Sequence, residues 1–137
     1  MKKVFIDTNI IVDLLAKREP FYEEAAMLFT LADKQQVNLS VSALTFANTN
    51  YILSQSLKPE EVRQILRKLK LIVQVLCINE KIIGLSLNDN DFRDFEDAVQ
   101  YYTALENDTD IIITRNLKDF QKAKLPVMTA AQFLTTI

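Results

Sequence analysis

The sequence contains no histidine, which excludes histidine general-base chemistry and histidine metal sites. It contains one cysteine, Cys77, so neither an internal disulfide nor a cysteine zinc site is possible. Cys77 lies within the apolar run from Leu71 to Ile78 and is expected in the core. Gly84 is the one glycine, which removes the glycine-rich phosphate loops of nucleotide-binding proteins. An excess of basic charge is missing too. The net charge of −2 argues against a broad surface that grips nucleic acid by charge alone. A local basic rim around an acidic, metal-loaded centre is still compatible with it. No apolar run approaches the length of a membrane span, and the chain turns polar at Asp7, too early for a signal peptide. The expectation is a cytoplasmic, soluble protein with no membrane partner.

What is present is ordinary in bulk and specific in pattern. A chain of 137 residues, 49% of them hydrophobic, suits one domain over residues 1–137 with a sizeable core. If it is an enzyme, its chemistry must come from carboxylates, hydroxyls, amides, lysine or arginine. Its 18 acidic residues make carboxylates the leading candidates.

The segment Val4-Phe5-Ile6-Asp7-Thr8-Asn9 organises the rest. Val4–Ile6 reads as a buried strand that stops at Asp7, and a helix begins near Asn9 or Ile10 and runs to Ala16. Pro20 suits the first turn of the next helix, whose apolar residues Phe21, Ala25, Leu28, Phe29 and Ala32 recur at helical spacing. Asn38–Ser42 is predicted as a strand, Ala43–Leu53 and Lys58–Leu69 as helices, and Ile72–Ile78 as a β-branched strand. Asn79–Leu87 and Asp94–Glu106 follow as helices, the second with Phe95, Ala98, Val99, Tyr102 and Leu105 as its buried stripe. Ile111–Thr114 and Pro126–Met128 are predicted strands, and Ala130–Leu134 a last helix. Strands alternating with helices imply an α/β fold with a parallel sheet covered on both faces.

In such sheets the ligand crevice lies outside the carboxyl ends of the strands. Asp7, Thr8 and Asn9 fall there, as do Ser42, Thr114, Arg115 and Asn116, with Asp119 shortly beyond. Asp7 is equally suited to cap the helix that follows it. The densest acidic stretch is Asp89–Asp97. Asp94 reads as a helix N-cap, with Asp97 three residues on at the position of a capping box. Asp97 also lies at the core boundary, where a charge is costly unless paired or bound to a metal. Carboxylates converging without histidine or cysteine define a hard-oxygen site suited to Mg²⁺ or Mn²⁺. An ion there can activate water and neutralise charge on a phosphoryl oxygen, which makes a phosphodiester the natural substrate.

Three segments carry a family resemblance: Val4-Phe5-Ile6-Asp7-Thr8-Asn9-Ile10, Asp94-Phe95-Glu96-Asp97-Ala98-Val99-Gln100, and Ile113-Thr114-Arg115-Asn116-Leu117-Lys118-Asp119-Phe120. In this order and at this spacing the chain resembles the PIN-domain family, the fold of the VapC-like ribonuclease toxins. The resemblance implies a three-layer α/β/α sandwich on a five-stranded parallel sheet. It implies an endoribonuclease dependent on Mg²⁺ or Mn²⁺. Asp7, Asp97 and Asp119 match the family's acids and would be both catalytic residues and metal ligands. Asn116 would orient groups beside Asp119, and Asn9 and Thr114 would assist from the strand ends. Asn48 stands where the family usually has a glutamate, which removes one negative charge; Asp94 or Glu96 could supply compensation. Arg115 and Lys118 are basic groups near the crevice. Both would hold RNA phosphates as positioning contacts, and both also read as solvated surface charge, Lys118 more so than Arg115. The resemblance also implies a homodimer and a small antitoxin partner, for which Phe21–Leu31 and Tyr51–Leu69 offer amphipathic helices.

Two other readings compete. A module weakened at Asn48 would keep the fold and bind RNA or a protein. Phosphoryl transfer through Asp7 as nucleophile, as in haloacid-dehalogenase-like phosphatases, would want a second aspartate where Asn9 stands.

Overall fold

Val4, Phe5 and Ile6 are wholly buried, and they form most of the central strand of the sheet, β1 (Lys3–Ile6). A strand buried on both faces needs apolar residues at every position, which is what this run supplies. The computed structural model describes residues 1–137. After β1 come α1 (Thr8–Leu15), α2 (Tyr22–Asp33), β2 (Asn38–Ser42), α3 (Ala43–Leu53) and α4 (Pro59–Lys70). Then follow β3 (Gln74–Leu76), α5 (Glu80–Leu87), α6 (Phe95–Glu106) and β4 (Ile111–Ile113). A 3₁₀ turn (Leu117–Phe120), β5 (Val127–Met128) and α7 (Ala130–Leu134) complete the chain.

The five strands are all parallel in the order β3-β2-β1-β4-β5. Val4 pairs with Leu39 on one side and with Ile111 on the other. Side chains alternate between the faces. Val4, Ile6, Ile111 and Ile113 join the larger core with residues of α1, α2, α4 and α7, while Phe5 and Ile112 pack against α6. The result is a three-layer α/β/α sandwich, as expected. Strand order reverses direction between β1 and β4, and such a switch point opens a crevice beyond their carboxyl ends. No helix is long and apolar enough to cross a membrane.

Strand ends double as helix starts. Asp7 caps α1, Ser42 caps α3 and Thr129 caps α7 with its hydroxyl. Each cap satisfies backbone donors that the first turn leaves open. Pro20 sits in the turn before α2, whose first residue is Tyr22.

Three expectations are corrected. The run Ile72–Ile78 yields only a short edge strand, Gln74–Leu76, because it pairs with β2 alone. Cys77 lies just past that edge and is exposed, not in the core. The buried face of α6 is rotated and wider than the expected stripe. It includes Gln100, Tyr101, Thr103 and Ala104, since α5 covers the helix as well as the sheet. Phe95 is consequently 44% exposed.

Candidate active site

Asp7 serves as cap and as site residue together. Its Oδ1 accepts the Thr8 backbone N–H at 2.8 Å, and its Oδ2 accepts the Thr114 hydroxyl at 2.8 Å. The side chain of Thr114, wholly buried at the end of β4, in turn accepts from the Asn116 backbone N–H at 3.1 Å and from Asn9 Nδ2 at 3.4 Å. Asn9 Oδ1 accepts the Arg115 backbone N–H at 3.4 Å. The ends of β1 and β4 are thus laced together around one carboxylate.

Beside Asp7 a hydroxyl–amide network joins three helices. Thr8 Oγ1 lies 2.9 Å from Thr45 Oγ1, and Gln100 Nε2 donates to both at 3.1 Å. Gln100 is 2% exposed and its Oε1 has no partner. The sequence reading missed this network. The available signal was Gln100 itself, a polar residue inside the run Ala98-Val99-Gln100-Tyr101.

The acidic stretch sorts into structural and crevice residues. Asp89 accepts the Tyr102 hydroxyl at 2.6 Å, which pushes the phenol up to about 12. Asp94 caps α6, accepting from the Glu96 N–H at 2.9 Å. Asp97, half-buried in the first turn, faces the crevice. Burial, then the charges of Asp7, Asp94, Asp119 and Glu96, push its carboxyl up to about 7. Burial also raises Asp7, opposed by its hydrogen bonds to Thr114 and Thr8 and reinforced by Asp119 and Glu96. Five acids therefore share one field, and none forms an ion pair within the protein: the two ion pairs are Lys81–Glu106 and Arg115–Asp13.

Asp97 is the wall between two hollows. One, of about 230 Å³, is lined by Asp7, Thr8, Asn48, Glu96 and Gln100 as well as Asp97. The other, of about 430 Å³, is lined by Asp119, Asp94, Phe95 and Arg93 with Asp97. Asn48 thus stands in the acidic crevice, on the side of Asp7, while Asn116 is exposed on the turn that carries Asp119.

Arg115 is not placed as a crevice group. Its Nε and a terminal nitrogen donate to the two oxygens of Asp13 at 2.7 and 3.2 Å, and its guanidinium stacks 4.2 Å from the Phe21 ring centroid. Asp13 is wholly buried in α1. A buried carboxylate demands a partner, and the planar fork of arginine supplies one. The sequence reading passed over Asp13, the one acid inside Ile10–Ala16.

The donor set fits a hard divalent cation. It is all oxygen, carries uncompensated negative charge, and offers Asp7 in a fixed orientation. No three acidic side chains already stand close enough to enclose an ion by themselves. Mg²⁺ is commonly held by one or two carboxylates and keeps several waters, so it does not need such a cage.

A carboxylate crevice at the switch point of a parallel sheet, with its acids free of ion pairs within the protein, defines an α/β domain with a candidate cation site. The sequence model of the PIN domain matches residues 3–118, and the chain belongs to the PIN-domain family. It is 27% identical over 135 residues to Ribonuclease VapC1 of Aquifex aeolicus, spanning 96% of this chain and 93% of that protein. Its structure resembles that of VapBC-1 from nontypeable Haemophilus influenzae, with a TM-score of 0.69 at 23% identity over 94% of this chain and 98% of that one. A toxin-antitoxin complex from Klebsiella pneumoniae gives a TM-score of 0.69 at 24% identity, over 93% and 97% of the respective chains.

Proposed function

We propose that this PIN-domain chain is an endoribonuclease, dependent on Mg²⁺ or Mn²⁺, and the toxin of a toxin–antitoxin pair. The observation that carries this reading is the crevice beyond the carboxyl ends of β1 and β4, where Asp7, Asp97 and Asp119 line two adjoining hollows and none forms an ion pair within the protein. Such a site binds a proton or a cation in preference to standing fully ionised. The similarity to Ribonuclease VapC1 supports RNA as the phosphodiester substrate.

Asp7, Asp97 and Asp119 would hold the cation, with Glu96 adding negative potential. When bound, a divalent ion supplies neutralisation of phosphoryl charge and an acidified water. The protein supplies orientation. Thr114 and the Thr8 N–H fix the Asp7 carboxylate, and the Asn9–Thr114–Asn116 contacts fix Thr114. Asp97, half-exposed with a proton affinity near neutrality, can hold or release a proton at the crevice wall. The amide of Asn48 leaves the crevice one charge short of the family's usual set. That favours a reduced cation affinity, and a weakened module that binds RNA or a protein partner is the second reading.

The solved toxin–antitoxin complexes support an antitoxin as partner; a homodimer is the proposed assembly. A cytoplasmic location fits an RNA substrate. The test is cleavage of single-stranded RNA by the purified chain with Mn²⁺ or Mg²⁺ and with chelator. Metal-dependent cleavage that Asp7→Asn abolishes is expected. Cleavage that persists in chelator would contradict the reading.

A further inference from the structure

The crevice continues beyond the acids on both sides, and its two ends differ in chemistry. The hollow containing Asp7 and Asn48 has Tyr51 on its rim, 70% exposed. The hollow on the other side of Asp97 leads to a third, of about 170 Å³, with which it shares Arg93 and Asp119. This third hollow is walled by Lys118 and Lys122. Three hollows in a row, joined through shared walls at Asp97 and at Arg93 with Asp119, make one groove with the carboxylates in its middle.

Arg93, Lys118 and Lys122 form no ion pair with any carboxylate, although acids surround them. Their charge is free for an anionic ligand. At the opposite end there is no cation. An exposed aromatic ring stands there beside two amide side chains, Asn48 and Gln100, and the Gln100 Oε1 lacks a partner. A second exposed ring, Phe95, lines the middle hollow. Exposed rings beside amides suit unstacked bases, and free cations suit phosphates.

We propose that the groove is a polarised track for single-stranded RNA: Tyr51 stacks on a base beside Asn48, and Arg93, Lys118 and Lys122 hold phosphates on the far side of the carboxylates. This deepens the ribonuclease reading and rests on it for the identity of the nucleic acid. It also replaces the expectation for Arg115, whose fork is taken by Asp13. A duplex fits the track poorly, because its bases are not available for stacking on a side chain.

The test is fluorescence anisotropy of a short, unstructured, labelled RNA on the Asp7→Asn chain in chelator, where the probe stays intact. Tyr51→Ala should weaken binding about tenfold with an unchanged salt dependence, the mark of lost stacking. Tyr51→Phe should restore it. Lys118→Ala combined with Lys122→Ala should weaken binding and flatten the slope of log affinity against log salt by about 0.7 per lost phosphate contact. A Tyr51→Ala chain that binds like its parent would overturn the proposal, and so would an unchanged salt slope in the lysine pair or an equal affinity for duplex RNA. Absence of binding by the Asp7→Asn chain would overturn it as well. Cleavage by the unmutated chain with Mn²⁺ is measured alongside. Cleavage without this binding pattern sinks the track alone, and the binding pattern without cleavage sinks the nuclease reading alone.

Discussion

The Thr114 hydroxyl donates to Asp7 Oδ2 at 2.8 Å, so residues 107 apart in sequence meet at the switch point between β1 and β4. The contact is buried, and it is one of the two hydrogen bonds that hold the Asp7 carboxylate. Thr114→Val keeps the shape and removes the donor. The expected cost is about 1–3 kcal/mol of stability, the desolvation penalty of an unpaired buried oxygen. Because the bond opposes the rise in the Asp7 proton affinity, its loss also pushes that affinity further up. Mn²⁺ titration by calorimetry should show weaker binding than in the unmutated chain, and an unchanged affinity would contradict this role.

Arg115 and Asp13 form the one ion pair in which a partner is wholly buried. Arg115→Met leaves the Asp13 carboxylate without a partner and should cost about 3–5 kcal/mol. Asp13→Leu added to Arg115→Met removes the stranded charge and should recover most of the loss. Urea unfolding of the two variants checks both values. A destabilisation that persists in the double variant would point to lost packing on Phe21 instead.

Stability should fall with rising pH in the absence of divalent metal. The Asp97 carboxyl sits at about 7 when folded, against an ordinary value of 3.8. Between these values the folded chain holds a proton that the unfolded chain has released. The stabilisation from this group is therefore complete below the ordinary value and lost as pH rises through about 7. Asp97→Asn removes that loss. Solvent screens a half-exposed group, so the variant should gain about 1–2 kcal/mol above neutrality, a smaller part of that at about pH 5, and nothing below the ordinary value. Melting curves at about pH 5 and about pH 8 in chelator test the sign. A greater stability of the unmutated chain at the higher pH would contradict it.

Asn48 lines the Asp7 hollow without contributing charge. Asn48→Glu should strengthen Mn²⁺ binding and raise RNA cleavage, each by about tenfold, as expected for an added carboxylate at a hard-cation site. The same variant should be less stable in chelator, because it adds a like charge to a crowded crevice. Cleavage equal to that of the unmutated chain would mean that Asn48 already serves the site adequately.

The central strand and its acid were legible because a strand buried on both faces must be continuously apolar, and Val4-Phe5-Ile6 ends abruptly at Asp7. Asp97 was legible as a charge where a helix meets the core. Its neighbours sorted less clearly, since a cap such as Asp94 and a crevice acid are the same residue type one turn apart. The β3 edge was overread: periodicity detects apolar residues and not whether a second strand covers them, so Cys77 and Ile72 looked internal. The orientation of Arg115 depends on a carboxylate 102 residues away, and nothing local to Thr114-Arg115-Asn116 reveals it. The Thr8–Thr45–Gln100 network likewise joins three separate helices and exists only once they are packed.

The most direct measurement is calorimetric titration of Mn²⁺ into the unmutated chain and into Asp7→Asn, with RNA cleavage followed in the same buffers. The account predicts binding to the unmutated chain that tightens as pH rises through about 7, as Asp97 gives up its proton, and metal-dependent cleavage alongside it. Both should vanish in Asp7→Asn. Absence of binding to the unmutated chain at millimolar metal, or binding that survives in Asp7→Asn, would contradict a cation site built on this carboxylate.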